Sequence, residues 1–143
     1  DRSTDDKPAM ERQLIAEIER RKIDFIVLAR YMQILGPNIC NLLPGRIINI
    51  HHSFLPGFKG ARPYRQAFDR GVKLIGATAH YVTSDLDEGP ILERGIERVA
   101  PRMDTKQLSA VGRDSERIVL AKAVRYQAEH RILLNGHRTV VFQ

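Results

Sequence analysis

The sequence predicts an α/β fold: a mostly parallel sheet flanked by helices, closed by a long C-terminal helix and a β-hairpin. Three observations carry this. An amphipathic stretch leads into the apolar, β-rich run Ile23-Asp24-Phe25-Ile26-Val27-Leu28-Ala29, which lacks the alternation of a half-exposed strand and so reads as covered on both sides. A second such run, Ile47-Ile48-Asn49-Ile50, ends in polar residues. Near the C-terminus a long helical pattern precedes Asn135-Gly136, which is flanked by apolar strands.

Taken in order, Met10, Leu14, Ile15 and Ile18 recur at helical spacing from Pro8 to about Arg21, with Asp5 or Asp6 as the cap and Pro8 in the first turn. After the first strand, Gly36-Pro37 and Pro44-Gly45 bracket a short helical or turn segment. His51 to Gly60 holds Pro56, Gly57 and Gly60 and is expected to be a loop; Pro63 to Arg70 is a short helix closed by Gly71. Leu74 to Thr83 returns to strand character, and Ser84 to Pro90 is an acidic turn. From Ile91 to Arg98, alternation predicts a strand with one exposed face or edge. Asp104 to about Arg131 is the long helix, with Leu108, Val111, Ile118, Val119 and Val124 as its apolar stripe and Gly112 as a weak point.

The 143 residues suit one domain, and 43% apolar with 28% charged residues excludes a disordered or linker-like chain. No apolar run approaches the roughly 18 residues that span a bilayer, so no membrane partner is expected. The amino end, Asp1-Arg2-Ser3-Thr4-Asp5-Asp6, lacks the apolar core of a signal peptide, and Cys40 is the single cysteine. A reducing, cytoplasmic compartment is therefore expected. The formal charge of +6 favours anionic ligands. Arg113, Arg117, Arg125, Arg131 and Arg138 could form a basic face, but without Trp, zinc-finger spacing or an aromatic RNA motif no nucleic-acid partner is expected.

The chemistry concentrates after the second strand. Residues two apart in a strand project to the same side, so Asn49 and His51 can share one pocket while His52 points away. The carboxyl end of a strand in an open α/β sheet is also where ligands commonly bind. The plainer alternative is that Asn49 satisfies turn backbone and His51 lies on the surface. Asp85, Asp87 and Glu88 in the turn that follows a later strand are either a solvated acidic turn or, if the strands adjoin, a carboxylate partner for His51. His51, His52 and His80 have no recognised metal-ligand spacing, and His80 reads as a hydrogen-bonded strand residue. Ser53 near His51 lacks the nucleophile-elbow motif of a serine hydrolase. Lys59, Gly57 and Gly60 match neither a P-loop nor a dinucleotide fingerprint, and Cys40 reads as a small buried hydrophobe.

Asn49-Ile50-His51-His52-Ser53-Phe54-Leu55-Pro56, then Lys59-Gly60, then Gly71-Val72-Lys73-Leu74-Ile75-Gly76-Ala77-Thr78-Ala79-His80-Tyr81-Val82, then Asp85-Leu86-Asp87-Glu88-Gly89-Pro90-Ile91 resemble, in order, the folate-dependent formyl transferase and hydrolase superfamily. The doubled histidine before Ser-Phe-Leu-Pro, the run Ala29-Arg30-Tyr31-Met32-Gln33-Ile34-Leu35 and the ending Asn135 to Phe142 resemble its formyltetrahydrofolate deformylase branch, whereas the glycinamide ribonucleotide transformylases usually carry Pro where His52 stands. The resemblance implies a partial formyltransferase-like fold, with residues 1–143 as one catalytic domain forming the C-terminal portion of a longer protein. It implies that Asn49, His51 and Asp87 are catalytic, and that Tyr31, Met32, Gln33, Ile34, Leu35, Ile47, Val82 and Leu86 bind the substrate's pterin. The implied activity is hydrolysis of 10-formyltetrahydrofolate to tetrahydrofolate and formate, with a role in purine synthesis and one-carbon balance; the alternatives are formyl transfer to an amine or a non-catalytic folate-binding fragment. No metal or redox cofactor is implied, and the folate is the small-molecule partner. A strand edge left open at Ile26 and Val27 would favour a homo-oligomer.

Overall fold

The structure is a computed structural model that describes residues 6–52 and 63–143. Its elements run α1 (Lys7–Arg21), β1 (Ile26–Ala29), α2 (Pro37–Leu42), β2 (Ile47–His51), α3 (Pro63–Asp69), β3 (Leu74–Tyr81), β4 (Ile91–Arg98), α4 (Thr105–Ala128), β5 (Ile132–Asn135) and β6 (Arg138–Val141). The expected α/β class, flanking helices, long helix and hairpin are all present. The expectation of a mostly parallel sheet narrows to a mixed one. In the order β1-β2-β3-β4 the β1–β2 pair is parallel and the other two are antiparallel. Both turns of direction follow from the chain: β3 returns beside β2, and the short acidic turn lets β4 fold straight back on β3.

Alternation along β2 sorts the molecule into layers. Ile48 and Ile50 pack with Ala77, Ala79 and Tyr81 of β3 and Val119 and Ala123 of α4. Ile47 packs on the other side with Ile18 of α1 and Ile39 and Leu43 of α2. Burial on both sides explains the unbroken apolar run of β2, which is buried at every position, but the expectation of the same for β1 is corrected: its residues alternate between partly buried and exposed, as on an edge strand. Beyond Ile47, the same side of the sheet turns polar. Asn49 stands opposite His80 and His51 opposite Thr78, four polar residues no more than 3% exposed.

Local chemistry sets most element ends. Lys22, at φ +52°, stops α1 in the left-handed region, its N–H donating to the Glu19 and Ile18 carbonyls. Asp6 occupies the N-cap of α1 but makes no side-chain cap bond, and Asp5 lies outside the described residues. Asp104 and Gln107 form a reciprocal capping box at the start of α4. The expected apolar stripe of α4 holds at Leu108 and Val119 and is corrected at Ile118. Leu108, Gly112, Ser115, Glu116, Val119 and Ala123 are its buried residues, whereas Ile118 is 57% exposed. Small residues let the helix lie close to its neighbours: a Cβ on Gly112 would meet the Tyr64 ring at 2.2 Å, and one on Gly95 of β4 would meet Ser115 Oγ at 2.6 Å. The hairpin forms, but Asn135 pairs with Arg138, so Gly136, at φ +60°, and His137 make its two-residue turn.

β1 lies at the edge of the sheet among the described residues, with Val27 41% exposed. No helix of the described residues is long and apolar enough to cross a membrane.

Candidate active site

The polar end of β2 becomes a site because a loop closes over it. After β3, the Val82 N–H donates to the Ile47 carbonyl (2.8 Å) and the Tyr81 N–H to the Pro90 carbonyl (2.9 Å), fixing both feet of the acidic turn against the sheet. Gly89 permits this closure, since a Cβ there would lie 1.7 Å from the Tyr81 carbonyl oxygen. Within the loop Asp87 takes φ +58°, a conformation that costs a non-glycine residue of the order of 1 kcal/mol. The reward is placement: its carboxylate Oδ2 is 3.5 Å from His51 Nε2 and its Oδ1 is 3.6 Å from His80 Nε2. The conditional pairing of His51 with a carboxylate of the acidic turn is therefore met, by Asp87.

His80 sits in this arrangement although its sequence context suggests only a strand residue. Its Nδ1 lies 2.9 Å from the Tyr81 carbonyl, which can only accept, so Nδ1 carries the hydrogen. Burial pushes this imidazole down from its ordinary titration, against the opposing pull of that carbonyl and of Asp87. The neutral ring turns its Nε2 lone pair toward Asp87, and neither His80 Nε2 nor Asp87 Oδ1 has a hydrogen-bond partner among the described residues. Two acceptors therefore face one spot, a place able to receive a proton. A bulge between Ala79 and His80, where β4 supplies an extra residue, sits at this position in β3, as bulges often do beside sites. That bulge and the cross-strand register, neither visible in the sequence, bring His80 to the site.

Asn49 faces the same space and is held rigidly. Its Nδ2 donates to the Tyr31 carbonyl (2.9 Å) and its Oδ1 accepts from the Tyr31 N–H (3.1 Å). The backbone-satisfying reading of Asn49 is thus met, and its amide nitrogen has a second hydrogen for another acceptor.

An open cleft lies beside these groups, lined by Tyr31, Gln33, Ile34 and Leu35 from the segment after β1, by Asn49 and His80, and by Val82, Thr83, Asp85, Leu86 and Asp87. Most residues expected at the substrate site meet here. Two do not line it: Met32 is 41% exposed, and Ile47 is fully buried among α1 and α2, beneath Val82. Thr83 and Asp85 of the same Val82–Asp87 loop also line it; the Thr83 hydroxyl accepts from the Asp85 N–H (3.3 Å), a turn bond that serine, threonine and aspartate commonly make.

Behind His51 lies a second polar cluster. The His52 ring is 5.1 Å from that of His51 and 6.2 Å from that of Tyr64. Tyr64 donates its hydroxyl to Glu116, which also accepts two bonds from Arg30, at 2.6 and 2.8 Å. Burial pushes Glu116 up, but Arg30 and Tyr64 more than offset it, so the carboxyl titrates below its ordinary range. Burial first, and then the neighbouring His51, push His52 down. Ser53 and the Gly57, Lys59 and Gly60 loop lie outside the described residues.

The remaining candidates have structural roles. Cys40 is buried, and burial pushes its thiol up. Arg117, Arg125 and Arg131 are paired with Asp114 or Glu129, which neutralises much of the supposed basic face. Among the described residues no group of three or more His, Cys, Asp or Glu is placed to hold a metal ion.

Residues 2–124 match the formyl transferase family model. The chain is 54% identical over 138 residues to a formyltetrahydrofolate deformylase of Bacillus subtilis, covering 96% of this chain and 46% of that protein. The crystal structure of a formyltetrahydrofolate deformylase from Burkholderia mallei superposes with a TM-score of 0.91 at 57% identity, over 99% of this chain and 50% of the other. A glycinamide ribonucleotide transformylase from Symbiobacterium toebii is further away, at 33% identity and a TM-score of 0.82, over 95% of this chain and 64% of the other. The chain thus spans about half the length of the deformylases it matches.

Proposed function

This chain belongs to the formyl transferase family, and on that premise we propose that it carries the catalytic centre of a hydrolase that cleaves 10-formyltetrahydrofolate into tetrahydrofolate and formate. The observation that carries the reading is the Asp87 carboxylate standing between two imidazoles, 3.5 Å from His51 and 3.6 Å from His80, beside a clamped Asn49 amide. Identity above half to proteins named as deformylases favours water over an amine as the acceptor. The cleft is open to solvent and lined mainly by the 31–35 segment and the Val82–Asp87 loop. It would take the pterin end of the folate, against the backbone of 31–35 and the loop bearing Val82 and Leu86.

In this reading the formyl carbon lies between Asn49, His51 and Asp87. Water adds to that carbon, giving a tetrahedral oxyanion, and donors must point at the oxygen where the charge grows. The second Nδ2 hydrogen of Asn49 supplies a neutral donor and protonated His51 a charged one. Asp87 orients the water and takes its proton. The folate nitrogen must gain a proton before the C–N bond breaks, and His51 is placed to deliver it. Formate and tetrahydrofolate leave; water and these side chains account for every proton moved.

The test is release of formate from 10-formyltetrahydrofolate by the full-length gene product, with no amine supplied. Asn49→Ala, His51→Ala and Asp87→Ala should each lower kcat by roughly a hundredfold or more, with smaller changes in folate binding. Formate release that strictly requires an amine would replace the hydrolase with a transferase, and near-native turnover by any one variant would remove that residue from the mechanism.

A further inference from the structure

The segment that lines one wall of the cleft is pinned at several points, and two of the pins come from a helix that lines none of it. Asn49 holds both backbone groups of Tyr31. Leu35 is 4% exposed, anchored in the core with Ile18 and Ile39. Between and beyond these points the backbone is held by α1. Lys7 donates its Nζ to the Ile34 carbonyl, and Glu11 Oε1 accepts the Gly36 N–H at 2.9 Å. Lys7 and Glu11 are four residues apart, on one side of the helix, so a single helical face presents a donor and an acceptor to two peptide groups of the same loop.

Gly36 carries the matching feature. Its backbone, at φ −63° and ψ 149°, is one any residue adopts. The three nearest neighbours of a Cβ there are atoms of the Glu11 carboxylate, the nearest being Oε2 at 2.2 Å. An alanine at 36 would suit the backbone but would have to push aside the Glu11 carboxylate, the movable end of that side chain.

We propose that Glu11, assisted by Lys7, is a positioning residue for the folate: by holding the backbone of 34–36 it sets the shape of the cleft wall, and hence the affinity for the ring that docks there, from outside the cleft. This rests on the folate reading above. Loss of the clamp lets the wall relax, which weakens binding of substrate and transition state alike, so KM rises while kcat stays near its native value.

Calorimetric titration of the full-length gene product with tetrahydrofolate, alongside steady-state kinetics, tests the proposal. Glu11→Ala should raise Kd and KM by roughly tenfold, the loss of one hydrogen bond to a charged group. Glu11→Gln keeps an acceptor for Gly36 and should recover most of the affinity. Gly36→Ala should weaken binding to a similar extent by displacing the carboxylate, and Glu11→Ala with Gly36→Ala should be no worse than either alone, because both break one contact. Native affinity in Glu11→Ala or Gly36→Ala, additive losses in the double variant, or a Glu11→Gln as weak as Glu11→Ala would each overturn the inference. If Glu11→Ala does not fold, Gly36→Ala and Glu11→Gln decide it by the same criteria. A wild-type protein that binds no tetrahydrofolate would overturn the folate reading and this inference together, whereas native binding with an indifferent Glu11→Ala overturns the inference alone.

Discussion

Glu116 shows how one side chain can be buried, charged and tolerated. It is 6% exposed, yet Arg30 and Tyr64 supply it with three hydrogen bonds, so the charge on a helix face turned to the core is met by partners from β1's end and α3. Removing the carboxylate leaves the buried Tyr64 hydroxyl without its acceptor and frees Arg30. Glu116→Ala should therefore lower unfolding stability by about 2 kcal/mol, and Tyr64→Phe, which leaves the Arg30 pair intact, by about 1 kcal/mol. Urea denaturation of the two variants checks both size and order; equal losses would mean that Tyr64 rather than Arg30 supports the carboxylate. Because His52 lies between this cluster and His51, the cluster also braces the imidazole proposed to act on the formyl group.

At the scale of elements, α4 is built for approach. Sequence propensity makes Gly112 a flaw in a long helix, to be improved by alanine by up to about 1 kcal/mol. The structure reverses the sign, because the Tyr64 ring occupies the space where the methyl group would go, at 2.2 Å. Overpacking of this kind costs about 1–3 kcal/mol, so Gly112→Ala should be neutral to destabilising by up to about 2 kcal/mol. A rise in the melting temperature of Gly112→Ala would show that α3 yields freely to α4. Shortness does similar work elsewhere: the turn between β3 and β4 is brief enough to return Asp87 to the sheet face it left.

For the molecule as a whole, the buried imidazoles couple stability to pH. His52 and His80 are 8% and 2% exposed, and burial is the leading cause that pushes both below the ordinary value of 6.5. Below that value the unfolded chain takes up protons that the folded one resists, so their contribution is complete above about pH 6.5 and is lost as the pH falls toward the folded values. Glu116, also held low, adds a loss of the same sign below its ordinary 4.5. The melting temperature should be nearly flat above pH 7 and decline steadily on acidification from about pH 6.5. A melting temperature that climbed between pH 6.5 and 5 would mean that the folded state welcomes the proton instead. The surface ion pairs of α4, such as Arg117 with Asp114, are exposed and contribute little to this balance.

Periodicity and end signals, which are local, determined by themselves where most helices and strands fall: the α1 repeat of Leu14, Ile15 and Ile18, the apolar run of β2, the Asp104 start of α4 and the strands about Gly136. Period two along β2 likewise placed Asn49 and His51 on one side, and the ordered motifs of the formyl transferases pointed to Asp87. Which strands adjoin was decided only in three dimensions. The antiparallel pairing of β2 with β3 brings His80 opposite Asn49, and the bulge and the left-handed turn at Asp87 aim a carboxylate between two rings. The burial of Glu116 in place of Ile118, the removal of Ile47 from the cleft wall and the clamp from Glu11 to Gly36 are decided in the same way. The physical reason is range. Propensity, capping and alternation act over a few residues, whereas the worth of a buried polar group depends on partners distant in the chain, and only packing reveals whether they are met.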